Sequence, residues 1–351
     1  MMQWLLKHTR TRPDPVPSGR LCAMQTVAAV QLGLQLLLWI TFGGYDRAVQ
    51  AVWQSALMLL VPLMLLWLGW RMAQPALDRP AARWLMLLLL PCLWLDAAFL
   101  FYALCGLMDL IIPEYAWYVG GLAAAAICYL TVLSAREDGV AYGTSALRYP
   151  LVLLFLLGTV LLRSSRRADR LWPIWGQGLA NTAMTALRGS GSLWSTALLF
   201  VLPGKEAPKP RLRSVGWAFV PWLTAAIWAL WCGFMRPWSP GDALSAGQRL
   251  MGLARHATGV VNYQLAGLLW LAAIPTALCG NALSGELLLR RAMPKLPRLL
   301  ATAAVLLPAL LVVLWIPERL PSLLSALLPW RIVPCILTLP VLGLMARKEA
   351  A

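Results

Sequence analysis

The stretch ARWLMLLLLPCLWLDAAFLFYALCGLM, residues 82–108, carries one cation at its edge, Arg83, and one acid at its middle, Asp96. The rest is apolar, aromatic or small. A hydrocarbon core about 30 Å thick is crossed by roughly 20 helical residues, so this run spans a bilayer and takes its carboxylate inside. It lacks the alternation of a barrel strand, and a lipid-exposed backbone must satisfy its own hydrogen bonds. It therefore reads as a membrane helix.

Outward from it, similar runs lie at 23–41, 48–70, 113–134, 147–162, 173–203, 214–235, 252–287, 298–316 and 322–346. Ten spans in 351 residues leave no room for a separate soluble domain. Hydrophobic residues make up 60% and charged residues 13% of the chain, against about 45–50% and 25% in soluble domains. The expected fold is an all-α polytopic membrane protein, one transmembrane domain over 1–351. Its parts are an N-terminal segment at 1–22, helices one to five in 23–162, helices six to ten in 163–346 and a tail at 347–351.

Cytoplasmic loops are rich in Lys and Arg. With both termini inside, the inner segments hold Lys7, Arg10, Arg12, Arg20, Arg71, Arg79, Arg83, Arg136, Arg148, Lys205, Lys209, Arg211, Arg213, Arg290, Arg291, Lys295, Arg298, Arg347 and Lys348. The outer segments hold Arg47, Arg236, Arg249 and Arg319, together with one dissenting cluster, Arg163, Arg166, Arg167 and Arg170. The net charge of +16 is thus mostly topological, apposed to anionic membrane lipids. Nucleic-acid binding would need a basic soluble face, which these spans do not provide. Trp39, Trp53, Trp84, Trp117, Trp172, Trp217, Trp238 and Trp330 fall near span ends, where indoles anchor at the interface. Seven single cysteines and two histidines, His8 and His256, suggest neither a disulfide framework nor a metal site. No catalytic constellation or cofactor motif is visible, so the pockets are read as made for binding.

Candidate ligand residues come from polarity at mid-membrane depth. Arg188, Gly189, Ser190, Gly191 and Ser192 lie halfway along the sixth span. Two glycines with two serines favour unwinding, and a half-helix starting near Leu193 would offer free amides to a carboxylate, with Arg188 beside them. The alternative is a kink with Arg188 snorkelling or lining water. Asp96 is either a structural ion-pair partner, a substrate-amine or proton-coupling group, or an inert acid in a water-lined site; its depth matches that of Arg188, which predicts that the two are close. In the first span Gln31, Gly33 and Gln35 place two amides on one helical face. In the eighth, Asn262, Tyr263 and Gln264 are similar; interhelical glue and pocket lining both fit. Glu286 and Arg290, at i and i+4, are expected to form a local salt bridge, and Gly120, Gly121 and Gly139 to serve close packing or turns.

The order of landmarks resembles one family. Gly139 to Arg148 with Tyr149 and Pro150 precedes a hydrophobic helix; a polar linker follows, then Leu171-Trp172-Pro173-Ile174 with Gly176 and Gly178. A glycine-broken span then ends in Leu198-Leu199-Phe200-Val201-Leu202-Pro203. A stretch at 254–291 with Arg255 and Trp270, and a basic tail after Pro340, follow in order. This series resembles the endospore germination permeases, the membrane-embedded B-subunits of germinant receptors, within the amino acid–polyamine–organocation transporter superfamily. The chain departs from that pattern after the sixth-span break, where Ser192, Trp194 and Ser195 replace an acid, and at Ala254-Arg255-His256, where a Glu-Arg pair is expected. The resemblance implies inverted five-helix repeats with helices one and six broken. It also implies a small germinant such as an amino acid as ligand, A- and C-type receptor subunits as partners, and a spore inner-membrane location. A proton- or sodium-coupled amino acid or amine transporter is the rival reading, and a membrane-embedded lipid-modifying enzyme a third.

Overall fold

The opening run is helical at each of its described residues. In the computed structural model a 3-10 turn at Leu87–Leu89 leads into helix α1, Leu90–Ile111. Pro91 falls in the first turn, where its missing N–H belongs to a group with no intrahelical partner anyway. The structure describes residues 56–57, 60, 84–85, 87–111, 118–134, 178–184, 271, 274–327, 330, 333–334, 337–338 and 341. Among the described residues the longer helices that follow are α2, Tyr118–Ser134; α3, 274–292; α4, Arg298–Trp315; and α5, Leu320–Leu327. The expected spans 23–41, 147–162 and 214–235 lie outside the described residues.

α1, α2 and α4 follow the expected spans closely. α3 runs to 292, five residues past the expected end at 287, and carries the expected Glu286–Arg290 pair on its last turns. In the sixth span the described helical residues are 179–184, and Gly178 before them has φ +108°, a left-handed value outside the helix. Thr182 closes this turn twice, through its N–H at 3.0 Å and its hydroxyl at 2.9 Å, both on the Gly178 carbonyl.

Among the described helices α1 lies in the middle. Leu93, Ala97, Phe101, Ala103 and Cys105 are all fully buried, and each of α2, α3 and α4 packs on it. α4 has the surface expected of a helix set against lipid. Ala301, Thr302, Val305, Leu306, Ala309, Leu310 and Val313 form its buried stripe, while Leu300, Leu307, Leu311, Val312 and Trp315 face outward. A helix on a water-exposed surface would carry polar residues there. α2 is reversed in size: Gly120, Gly121, Ala124 and Cys128 face the bundle, and Leu122, Ile127 and Leu130 face away. Small residues inward and large ones outward is the arrangement that lets membrane helices approach closely. Trp84 and Trp330 are also exposed, as interfacial anchors would be.

The glycines mark where helices touch. A Cβ on Gly120 would sit 2.7 Å from Met108 Cγ, and one on Gly121 2.8 Å from Cys105 Sγ, so both serve close packing. At Gly285 a Cβ would collide with the branched methyls of Val305, which locks α3 against α4. Leu289, Ala301 and Val305 continue this seam, flanked by Leu87, Leu90, Met293 and Leu296. Cys128 on α2 donates to the Pro275 carbonyl of α3 at 3.4 Å.

These pairings fix directions. Tyr129 and Gly121 on α2 meet Leu299 and Leu310 on α4, so α2 and α4 are antiparallel. The short turn 293–297 makes α3 and α4 antiparallel too. α1 and α4 run together, with Trp94 at Ala304 and the Leu90 end beside Ala301. That is the sense expected for the third, fourth, eighth and ninth of a series of alternating spans. The start of α1 and the α3–α4 turn share one end of the bundle, as the charge bias requires of the segments holding Arg83 and Lys295.

Pro308 lies inside α4 and cannot donate to the Ala304 carbonyl one turn earlier. The indole N–H of Trp94 donates to that carbonyl instead, at 2.9 Å. Trp94→Phe should therefore cost about 1 kcal/mol in reversible unfolding in bicelles. In a Pro308→Ala background, where the helix regains its own donor, the same change should cost measurably less; equal costs would refute the coupling. Gly285→Ala should destabilise by about 1–3 kcal/mol through overpacking, and adding Val305→Ala should recover part of the loss in the same assay.

Candidate ligand-binding region

Of the predicted ligand residues, Asp96 is the one within the described structure; Gln31, Gly33, Gln35, Arg188, Gly189, Ser190, Gly191, Ser192 and Asn262 lie outside it. The predicted proximity of Asp96 to Arg188 therefore also falls outside. Asp96 sits midway along the apolar stretch Leu87–Gly106 and is 3% exposed. A carboxylate at this depth costs roughly 3 kcal/mol on insertion scales, so the fold keeps it for a reason.

Its neighbourhood is set by α3. Asn281, 1% exposed, donates its amide to the Leu93 carbonyl at 3.2 Å. Leu93 precedes Asp96 by three residues, so the amide contact and the carboxylate lie on one side of α1. Among the described residues the Asn281 Oδ1 accepts no hydrogen bond. Sequence inspection passed over Asn281, since one amide in an apolar run does not announce which backbone carbonyl it will reach. Ser284 and Thr302 are simpler. Their hydroxyls return to the carbonyls of Gly280 and Arg298 one turn back, at 2.8 and 3.1 Å, the usual way a buried hydroxyl is satisfied in a helix.

Farther along α3, Glu286 is fully buried and takes two cations on one oxygen. Arg290 Nη1 donates to Oε1 at 3.3 Å, as the i, i+4 spacing predicts. Arg298 Nε lies closer, at 2.7 Å. Sequence spacing could not reveal Arg298, because it belongs to the next helix and reaches back across the turn 293–297.

The chain is similar in fold to solved transporters. It matches a nucleobase-cation-symport-1 family transporter, in a closed conformation with bromovinylhydantoin bound, at TM-score 0.60 and 16% identity over 96% of this chain and 80% of that one. It matches a manganese transporter of Eremococcus coleocola at TM-score 0.56 and 12% identity over 96% of this chain and 81% of that one. A second variant of that manganese transporter matches at TM-score 0.52, 13% identity, and 98% and 79% coverage. No family model and no curated protein matches the sequence. The likeness is one of fold, that of polytopic transporters.

Removing the buried carboxylate while leaving its arginines should be severe. Glu286→Gln is expected to lower stability by about 3–5 kcal/mol, whereas Lys295→Gln on the exposed turn should stay within about 0.5 kcal/mol. Chemical unfolding in matched micelles measures both.

Proposed function

We propose that this chain is a solute-binding protein of the secondary-transporter type that holds a small molecule, an amino acid by preference, near mid-membrane. The observation that carries this reading is the transporter fold, matched over 96% of the chain. The buried Asp96 and the Asn281 carbonyl at its flank supply polar groups within the scaffold. A helix break at Arg188–Ser192, as the sequence there suggests, would supply amides and a guanidinium for a carboxylate. Cargo does not follow from the fold, because one scaffold serves many ligands; the two neighbours named above already differ in theirs. Catalysis is not part of this proposal.

The landmark series over 139–203 favours a particular version: the B-type permease subunit of a spore germinant receptor. It would work with A- and C-type subunits in the spore inner membrane. Ligand would then bias two arrangements of the broken helices by its differential affinity alone. The rival is a carrier, for which a buried carboxylate such as Asp96 suits proton coupling.

Thermal unfolding of the protein in nanodiscs, screened across the amino acids, tests the proposal. A ligand at 100 times its Kd should add about 2.7 kcal/mol, and Arg188→Ala should abolish the gain. A flat response to every amino acid would overturn the amino acid assignment. Gradient-driven uptake of the same ligand by proteoliposomes would identify a carrier; binding without uptake would favour the receptor subunit.

A further inference from the structure

The α3–α4 turn gathers cations at one end of the bundle. Arg298, the first residue of α4, is 6% exposed. Its Nε lies 2.7 Å from Glu286 Oε1, yet its Nη2 is buried and, among the described residues, has no hydrogen-bond acceptor. Arg290 brings a second guanidinium to the same oxygen and likewise has a buried Nε without an acceptor. Two guanidinium groups thus converge on one oxygen with donors to spare. A buried N–H left without an acceptor is costly enough that native structures rarely keep one.

A second observation comes from the backbone. α4 is capped by Pro297, whose side chain makes no capping hydrogen bond. The first intrahelical bond runs from the Ala301 N–H to the Pro297 carbonyl. The amides of Arg298, Leu299 and Leu300 therefore have no partner within the helix, and they carry the positive end of its dipole. Exposed Pro294 and Lys295 lie on the same turn, and Arg291 on the last turn of α3.

We propose that this corner is a binding site for a phosphate group. A guanidinium fork matches a tetrahedral oxyanion in a bidentate way, and open amides at a helix start are a recurrent phosphate cradle. Depth agrees. Glu286 lies six residues before the end of α3, about 9 Å at the helical rise, which puts the corner beside the headgroup layer and not at mid-membrane. The phosphate comes either from an anionic lipid headgroup or from solution.

The test uses the full chain. Its thermal midpoint is compared in phosphatidylcholine nanodiscs with and without phosphatidylglycerol, and in micelles with inorganic phosphate or chloride at equal ionic strength. A rise of several degrees with phosphatidylglycerol alone identifies the headgroup; a rise with inorganic phosphate identifies the free anion. Either rise should vanish in the double variant Glu286→Gln with Arg298→Gln, which keeps a neutral polar pair. No rise in either medium, or an undiminished rise in the double variant, overturns the proposal. Should that variant fail to fold, hydrogen exchange on the unsubstituted chain decides. The effective phosphate source should slow the Leu299 and Leu300 amides several-fold, and unchanged rates there overturn the site.

Discussion

A backbone carbonyl without its helical donor is costly in a hydrocarbon medium, and one such group sets how α1 meets α4. Pro308 withholds its donor from Ala304, and Trp94 supplies the missing N–H from α1. The exchange ties the two parallel helices at a defined register. From that register, Leu87 and Leu90 fall beside Ala301 and Val305, and Leu93 falls within reach of Asn281. A proline that would weaken an isolated helix thus becomes the point at which two helices recognise each other.

The remaining contacts obey the other rule of the membrane interior: association without a hydrophobic driving force rests on close packing and interhelical hydrogen bonds. Gly120, Gly121 and Gly285 let backbones approach until only Met108, Cys105 and Val305 separate them. Tyr129 and Cys128 then add polar links to backbone carbonyls of α4 and α3. Large apolar side chains are turned outward, where lipid accepts them at no cost. α2 shows this most plainly, since its inward face has the smaller residues.

Spans were legible because span length and polarity are one-dimensional properties. The run 298–316 and the helix Arg298–Trp315 differ by a single residue. α3 runs a few residues past the expected 287, through the Arg290 that pairs with Glu286 as the i, i+4 spacing predicts. Burial of Asp96 could be anticipated from its position in an apolar run. The link from Asn281 to Leu93 could not, since it joins residues 188 apart and depends on how two helices rotate against each other. Gly120 and Gly121 announced close packing, but not the partners. The landmarks at 139–177, and the glycine-serine break, fall outside the described residues, so the finer family resemblance still rests on sequence.

α3 constrains how a protein of this fold can respond to a ligand. Residues 277–286 are all buried, and among them Asn281, Ser284 and Glu286 have hydrogen bonds or ion pairs to protein groups. Breaking a buried ion pair costs about 3–5 kcal/mol, whereas ligand coupling typically supplies about 1–3 kcal/mol. A ligand therefore lacks the energy to pull α3 away from α1 and α4. Any change it induces must leave these helices together and fall on contacts that cost less to remake.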